Sequence, residues 1–147
     1  KEKARLEIIT GKKISFLRKH HLFMAIPESY HIIQNLGIER DYSMGNIREA
    51  GFRAGIARPF NFYDLSLEKV SSLLIIPYQF MDITFQKYKR YEPGEALESI
   101  KKLIQGTKEV GGLFVSVWHN TSLTNMGEWE GWKEMFEYTL DEQRSIK

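Results

Sequence analysis

The chain has 147 residues, 42% hydrophobic and 27% charged, proportions that suit one ordinary globular domain. Lys and Arg number 21 against 19 Asp and Glu, and no block of about five or six like charges marks a nucleic-acid-binding arm. The lack of Cys excludes disulfides and thiolate metal sites, and no apolar stretch approaches the roughly eighteen residues of a membrane span. The absence of Cys fits a reducing or an oxidising compartment equally, so the compartment stays open. The sequence opens on Lys1 rather than Met, which suggests a processed product or a piece of something longer.

Residues 1–10 carry Leu6, Ile8 and Ile9 among charges and stop before Gly11, as a helix with a glycine terminator does. A short strand is expected over 14–17, followed directly by Arg18, Lys19, His20 and His21. Pro27 and Glu28 open a helical apolar pattern (Tyr30, Ile33, Leu36) that closes at Gly37. Residues 38–42 read as the next strand, and Ser43 to Gly55 as a glycine-punctuated loop. Residues 73–77 are an apolar strand with a proline stop. Glu92, Pro93 and Glu95 start a helix whose Ala96, Leu97, Ile100, Leu103 and Ile104 keep helical spacing as far as Gly111 and Gly112. A strand over 113–117 then runs into Trp118, His119 and Asn120, and 129–140 reads as a closing helix. This alternation predicts an α/β protein with about four parallel strands and right-handed crossovers.

His119 stands out because side chains at the carboxyl ends of parallel strands form the ligand crevice of such folds. At that place a histidine serves as acid or base, as a metal ligand, or as a structural hydrogen bonder. Trp118 is either a core residue or a flat platform for a sugar ring. If all strands are parallel, Arg18 and His20 lie at the same sheet edge as His119, where a guanidinium can orient a carboxylate or hold an anion. Asp41 offers a carboxylate at similar depth, or an Asx turn. Arg53 and Arg58 lie among Phe52, Phe60, Phe62 and Tyr63, a composition of single-stranded nucleic-acid grooves and of carbohydrate clefts. Without a wider basic field the sugar reading is preferred. Met81 and Asp82 follow the 73–77 strand, where an Asp is usually a cap or turn residue. The four histidines, at 20, 21, 31 and 119, have no metal-ligand spacing, so no metal site is assigned within the chain.

Arg18-x-His20-x-Leu22, the helix start from Pro27 to Tyr30, Leu36-Gly37-Ile38 with Asp41 to Gly45, Gly51 to Gly55, Pro59-Phe60-x-Phe62-Tyr63-Asp64-Leu65, Met81-Asp82 and Trp118-His119-Asn120 occur in this order. As an ordered set covering nearly the whole chain, they resemble the C-terminal part of bacterial polysaccharide deacetylase-like proteins, a metal-dependent carbohydrate esterase superfamily. The resemblance implies a partial distorted (β/α) barrel with parallel strands, one domain over 1–147 forming the C-terminal half of a catalytic domain. It implies a hydrolase that removes acetyl groups from a glycan with a divalent, zinc-like metal whose water attacks the acetyl carbon. His119 would protonate the leaving group, Arg18 would orient the catalytic aspartate and Asp41 would support the site. Trp118, Phe60, Tyr63, Arg53 and Asn120 would contact the sugar.

The family's metal-binding Asp and His residues and its catalytic aspartate lie on early strands that have no counterpart here. The expectation is therefore a fragment of a longer enzyme, inactive when isolated, with a degenerate relative as the alternative. The expected partners are a glycan and either the missing half of the barrel or a second copy; no nucleic acid and no membrane span are expected. Half a barrel leaves strand edges and apolar surface open. The isolated chain is accordingly expected to self-associate or bind a hydrophobic dye, and a cooperative, monomeric thermal transition would contradict this. The competing readings are a non-catalytic glycan-binding or structural module on the same fold and an unrelated α/β hydrolase using His119 with Ser116. The second lacks the Gly-x-Ser-x-Gly elbow.

Overall fold

The computed structural model describes residues 1–145. They form a mixed α/β protein whose strands are mostly parallel and whose main sheet is not closed. The chain divides into two compact units, residues 1–44 with 59–76, and residues 45–58 with 77 onward.

The first unit begins with α1 (Glu2–Thr10), which ends at Gly11 in the left-handed region, φ 63°. The terminator acts as the sequence predicts, because only the residue without a Cβ turns there at little cost. Yet α1 buries none of its residues; Ile8 is 83% and Ile9 69% exposed. Helix α2 (Glu28–Asn35) instead buries Tyr30 and Ile33, three apart and so on one face. They meet Ile38, Phe62, Leu73 and Ile75 in the core of this unit.

Its sheet runs in the order β1 (Phe16–Leu17), β2 (Arg40–Asp41), β4 (Lys69–Ile75), β3 (Phe60–Asp64). β1 with β2 and β2 with β4 are parallel, but β3 with β4 is an antiparallel hairpin. The hairpin corrects the all-parallel expectation. Its signal was hidden because Phe60 to Asp64 reads as an aromatic loop and Lys69 to Ser72 is too polar to read as a buried strand. The turn between them is closed by Asp64, whose Oδ1 accepts from Ser66 N (2.9 Å), Ser66 Oγ (2.6 Å) and Leu67 N (3.2 Å). An Asx-type turn of this kind replaces the Asn-Gly or Asp-Gly signature that sequence reading looks for.

The second unit holds the parallel pair β5 (Phe80–Met81) and β6 (Ser116–Val117). β6 is the expected strand before His119, but it belongs to this separate ladder and not to the four-stranded sheet. A π-helical turn (Thr84–Lys89) follows β5. Helix α3 (Pro93–Glu109) has Pro at its start, and the Glu95 carboxylate accepts from the Glu92 N–H at 3.0 Å. It buries Ala96, Ile100, Ile104 and Thr107, one stripe at helical spacing. Helix α4 (Trp132–Ser145) contributes Trp132 and Met135 to a core completed by Phe80, Phe85 and Phe114. Gly45 lies against the buried Tyr78, and a Cβ at that position would stand 2.3 Å from the ring, so the approach admits glycine alone.

Candidate functional site

His119 follows β6 directly, and Asp82 follows β5, so the parallel pairing of Phe80 with Ser116 and Met81 with Val117 sets the two residues side by side at the carboxyl end of the ladder. Asp82 is fully buried. Its Oδ1 accepts from Ile83 N at 2.7 Å and contacts His119 Nδ1 at 2.6 Å, while its Oδ2 accepts from His119 N at 2.7 Å. Two backbone N–H groups already donate to this carboxyl group, and it is best satisfied by the tautomer in which Nδ1 carries the proton and donates to it as well. The other ring nitrogen, Nε2, is left for a ligand, and the side chain is 35% exposed. The loop is braced further: Ser122 N and Oγ both donate to the His119 carbonyl, at 3.1 and 2.6 Å. On the β5 side, Thr84 Oγ1 accepts from Met81 N at 3.1 Å and donates to Ile47 O at 2.8 Å. A carboxyl-oriented imidazole on a rigid strand end is suited to proton transfer at Nε2.

Trp118 is half-buried and engaged on two sides. It meets Phe80 edge-on at 5.7 Å and Phe136 at 5.4 Å, and its indole N–H donates to Ser116 Oγ at 3.1 Å. These contacts are those of a core wall. Asn120 is exposed at the start of the turn Asn120–Leu123. Arg53 donates to the Gly45 carbonyl at 2.8 Å and so ties down its own loop.

Arg18 and Asp41 lie in the first unit, at the carboxyl ends of neighbouring parallel strands: Leu17 pairs with Asp41, and Tyr42 N donates to Leu17 O at 2.8 Å. Arg18 is exposed and makes no ion pair among the described residues. Asp41 is fully buried and accepts from Ser43 Oγ (2.7 Å) and Ser43 N (3.1 Å). Burial pushes its carboxyl above the usual carboxylate range, partly offset by those two hydrogen bonds. The shared sheet edge expected for Arg18, His20 and His119 is corrected, since β6 is not a strand of that sheet. Phe60 and Tyr63 share β3 but face opposite ways: Phe60 packs on the core, and Tyr63 is 48% exposed.

Two residue pairs escaped the sequence reading. Asp82 was visible only as an acidic residue at a loop edge, because nothing local shows that a two-residue strand will bring it to His119, 37 positions on. The second pair is His31 with Asp64, joined through Nε2 and Oδ2 in the first unit. Four donors converge on Asp64 and hold its carboxyl at about 2, the Ser66 hydroxyl first among the causes. The sign follows from the depressed value: this carboxylate adds stability above its unfolded value of about 4, and that contribution is lost as pH falls toward about 2. Ser66→Ala is therefore expected to lower stability at pH 6, with the difference from the wild type shrinking as pH falls below about 4 toward about 2. Urea unfolding at several pH values measures it, and a difference that persists unchanged at pH 2 would contradict the assignment.

Among the described residues no three His, Asp or Glu side chains converge as a metal cradle, and no helix is long and apolar enough to cross a membrane. The fold and these two His–Asp pairs define the protein as a mixed α/β protein with an open, mostly parallel sheet. Comparison with protein-family models, curated proteins and solved structures finds no match to this chain.

Proposed function

We propose that the chain belongs to a hydrolase resembling polysaccharide deacetylases, removing acetyl groups from a glycan, with His119 as the proton donor. The observation that supports this reading most is the Asp82–His119 pair at the carboxyl end of β5 and β6. In acetyl removal, the bond between the acetyl carbon and the sugar nitrogen or oxygen breaks, and the departing atom needs a proton. His119 Nε2 delivers it, and Asp82 stabilises the positive ring before transfer and holds its orientation throughout. On this reading the open, mostly parallel sheet is the C-terminal half of a distorted (β/α) barrel. Arg18, free at the end of β1, orients a carboxylate, and Asp41 supports it from β2.

The metal of this chemistry is not assigned to any described residue, because Asp82 and His119 are occupied with each other and no third ligand joins them among the described residues. No step is derived through it. The experiment is acetyl release from acetylated glycan oligomers by the full-length protein, wild type against His119→Ala, with divalent metal supplied. Loss of release supports the reading and unchanged release overturns it. A glycan-binding module without chemistry would show metal-independent affinity and no release.

A further inference from the structure

A groove of about 660 Å³ in the first unit lies between α2 and the β3–β4 hairpin and has the size of a small-molecule site. His31 and Gln34 line it from α2, and Lys69, Ser71 and Ser72 from β4, with Asp64 in its wall. Asp64 is spent: His31, Ser66 N, Ser66 Oγ and Leu67 N take up its oxygens. Lys69 is exposed and forms no ion pair among the described residues, so it is the unsatisfied charge of the groove. The remaining groups have spare hydrogen-bonding capacity. Gln34 uses its amide N–H on the Tyr30 carbonyl, which leaves its Oε1 to accept. Ser71 Oγ accepts from Leu73 N, which leaves its O–H to donate. His31, fixed through Nε2 by Asp64, retains Nδ1 for a ligand.

We infer that this groove binds a hydroxylated anion, a sugar bearing one carboxylate or phosphate group. Lys69 takes the anionic group, while His31, Gln34 and Ser71 pair with hydroxyls. Leu67, also in the lining, offers apolar surface to the C–H face of the ring. The inference is independent of the acetyl-removal reading, because binding is measured without acetyl release and either can fail alone.

The test is titration of the full chain with glucuronate and with glucose 6-phosphate, following the backbone amide resonances of the groove residues by NMR. Glucose and inorganic phosphate are the comparison arms. Saturable binding is expected for at least one charged sugar, and which one binds identifies the anionic group. Loss of a charge-assisted hydrogen bond corresponds to roughly tenfold in affinity, so Lys69→Ala and the glucose arm are each expected to weaken binding by about that factor or more. His31→Gln keeps a donor for Asp64, preserves the fold and is expected to weaken binding as well. No saturable binding by either charged sugar overturns the inference. Equal affinity for inorganic phosphate, or affinity unchanged in both variants, also overturns it.

Discussion

His119→Ala is expected to lower acetyl release by roughly 10²- to 10⁴-fold, the usual contribution of a positioned acid or base, while leaving the unfolding transition close to that of the wild type. The two halves of this expectation come from different atoms. Alanine removes the imidazole, and with it the Nε2 that the proposed reaction uses to deliver a proton. It keeps the backbone N–H that donates to Asp82 Oδ2, and Ile83 N still donates to Oδ1. The buried carboxyl group therefore keeps two of its three donors. Asp82→Ala does the reverse, leaving the N–H groups of Ile83 and His119 without their acceptor. Buried donors stripped of a partner cost about 1–3 kcal/mol each, so that variant loses stability together with activity. Acetyl release measured beside urea unfolding separates the two. If His119→Ala unfolds as readily as Asp82→Ala, the histidine is a structural residue and the proton-donor role is wrong.

Phe80→Ala is expected to destabilise the second unit by about 3–5 kcal/mol, as for other buried aromatic truncations. Phe80 has no exposed surface, and its ring lies 5.2 Å from Phe85, 6.0 Å from Phe114 and 5.7 Å from Trp118. Removing it opens a cavity bounded by rigid rings that cannot all move inward. A loss of this size is a large part of the total stability of an ordinary domain. The readout is convenient, since Trp118, Trp129 and Trp132 all belong to this unit and tryptophan fluorescence reports its unfolding alone. Val110→Ala, at a 54% exposed position, is the control and is expected to change stability by about 0.5 kcal/mol or less. Trp118 packs edge-on against Phe80 and directly precedes His119, so the cavity also loosens the strand end that carries the histidine. A Phe80→Ala loss within the range of the control would show that this aromatic cluster is not the core of the unit.

The helices were legible because their signals are local. Gly11 ends α1, Pro27 and Gly37 bracket α2, and Pro93 with Glu95 starts α3, all within a few residues of the boundary they set. The strands were legible in kind but not in partnership. The segment before His119 reads as a strand from its own residues, yet its partner is Phe80 and Met81, whose strand character nothing nearby announces. The hairpin of β3 and β4 was missed for the opposite reason, because polar residues on its exposed face masked the alternation.

The sequence by itself determined the α/β class, the limits of the first three helices and His119 at the end of a strand, since each depends on propensities and periodicities within about ten residues of chain; the closing helix, expected over 129–140, instead runs Trp132–Ser145. Only the tertiary structure decided that Asp82 is the partner of His119, that Trp118 is taken up by Phe80 and Phe136, and that His31 and Asp64 stand together beside a polar groove. Such pairings depend on which short strands align across tens of residues, and alignment is chosen by the burial of whole faces, which no single segment encodes.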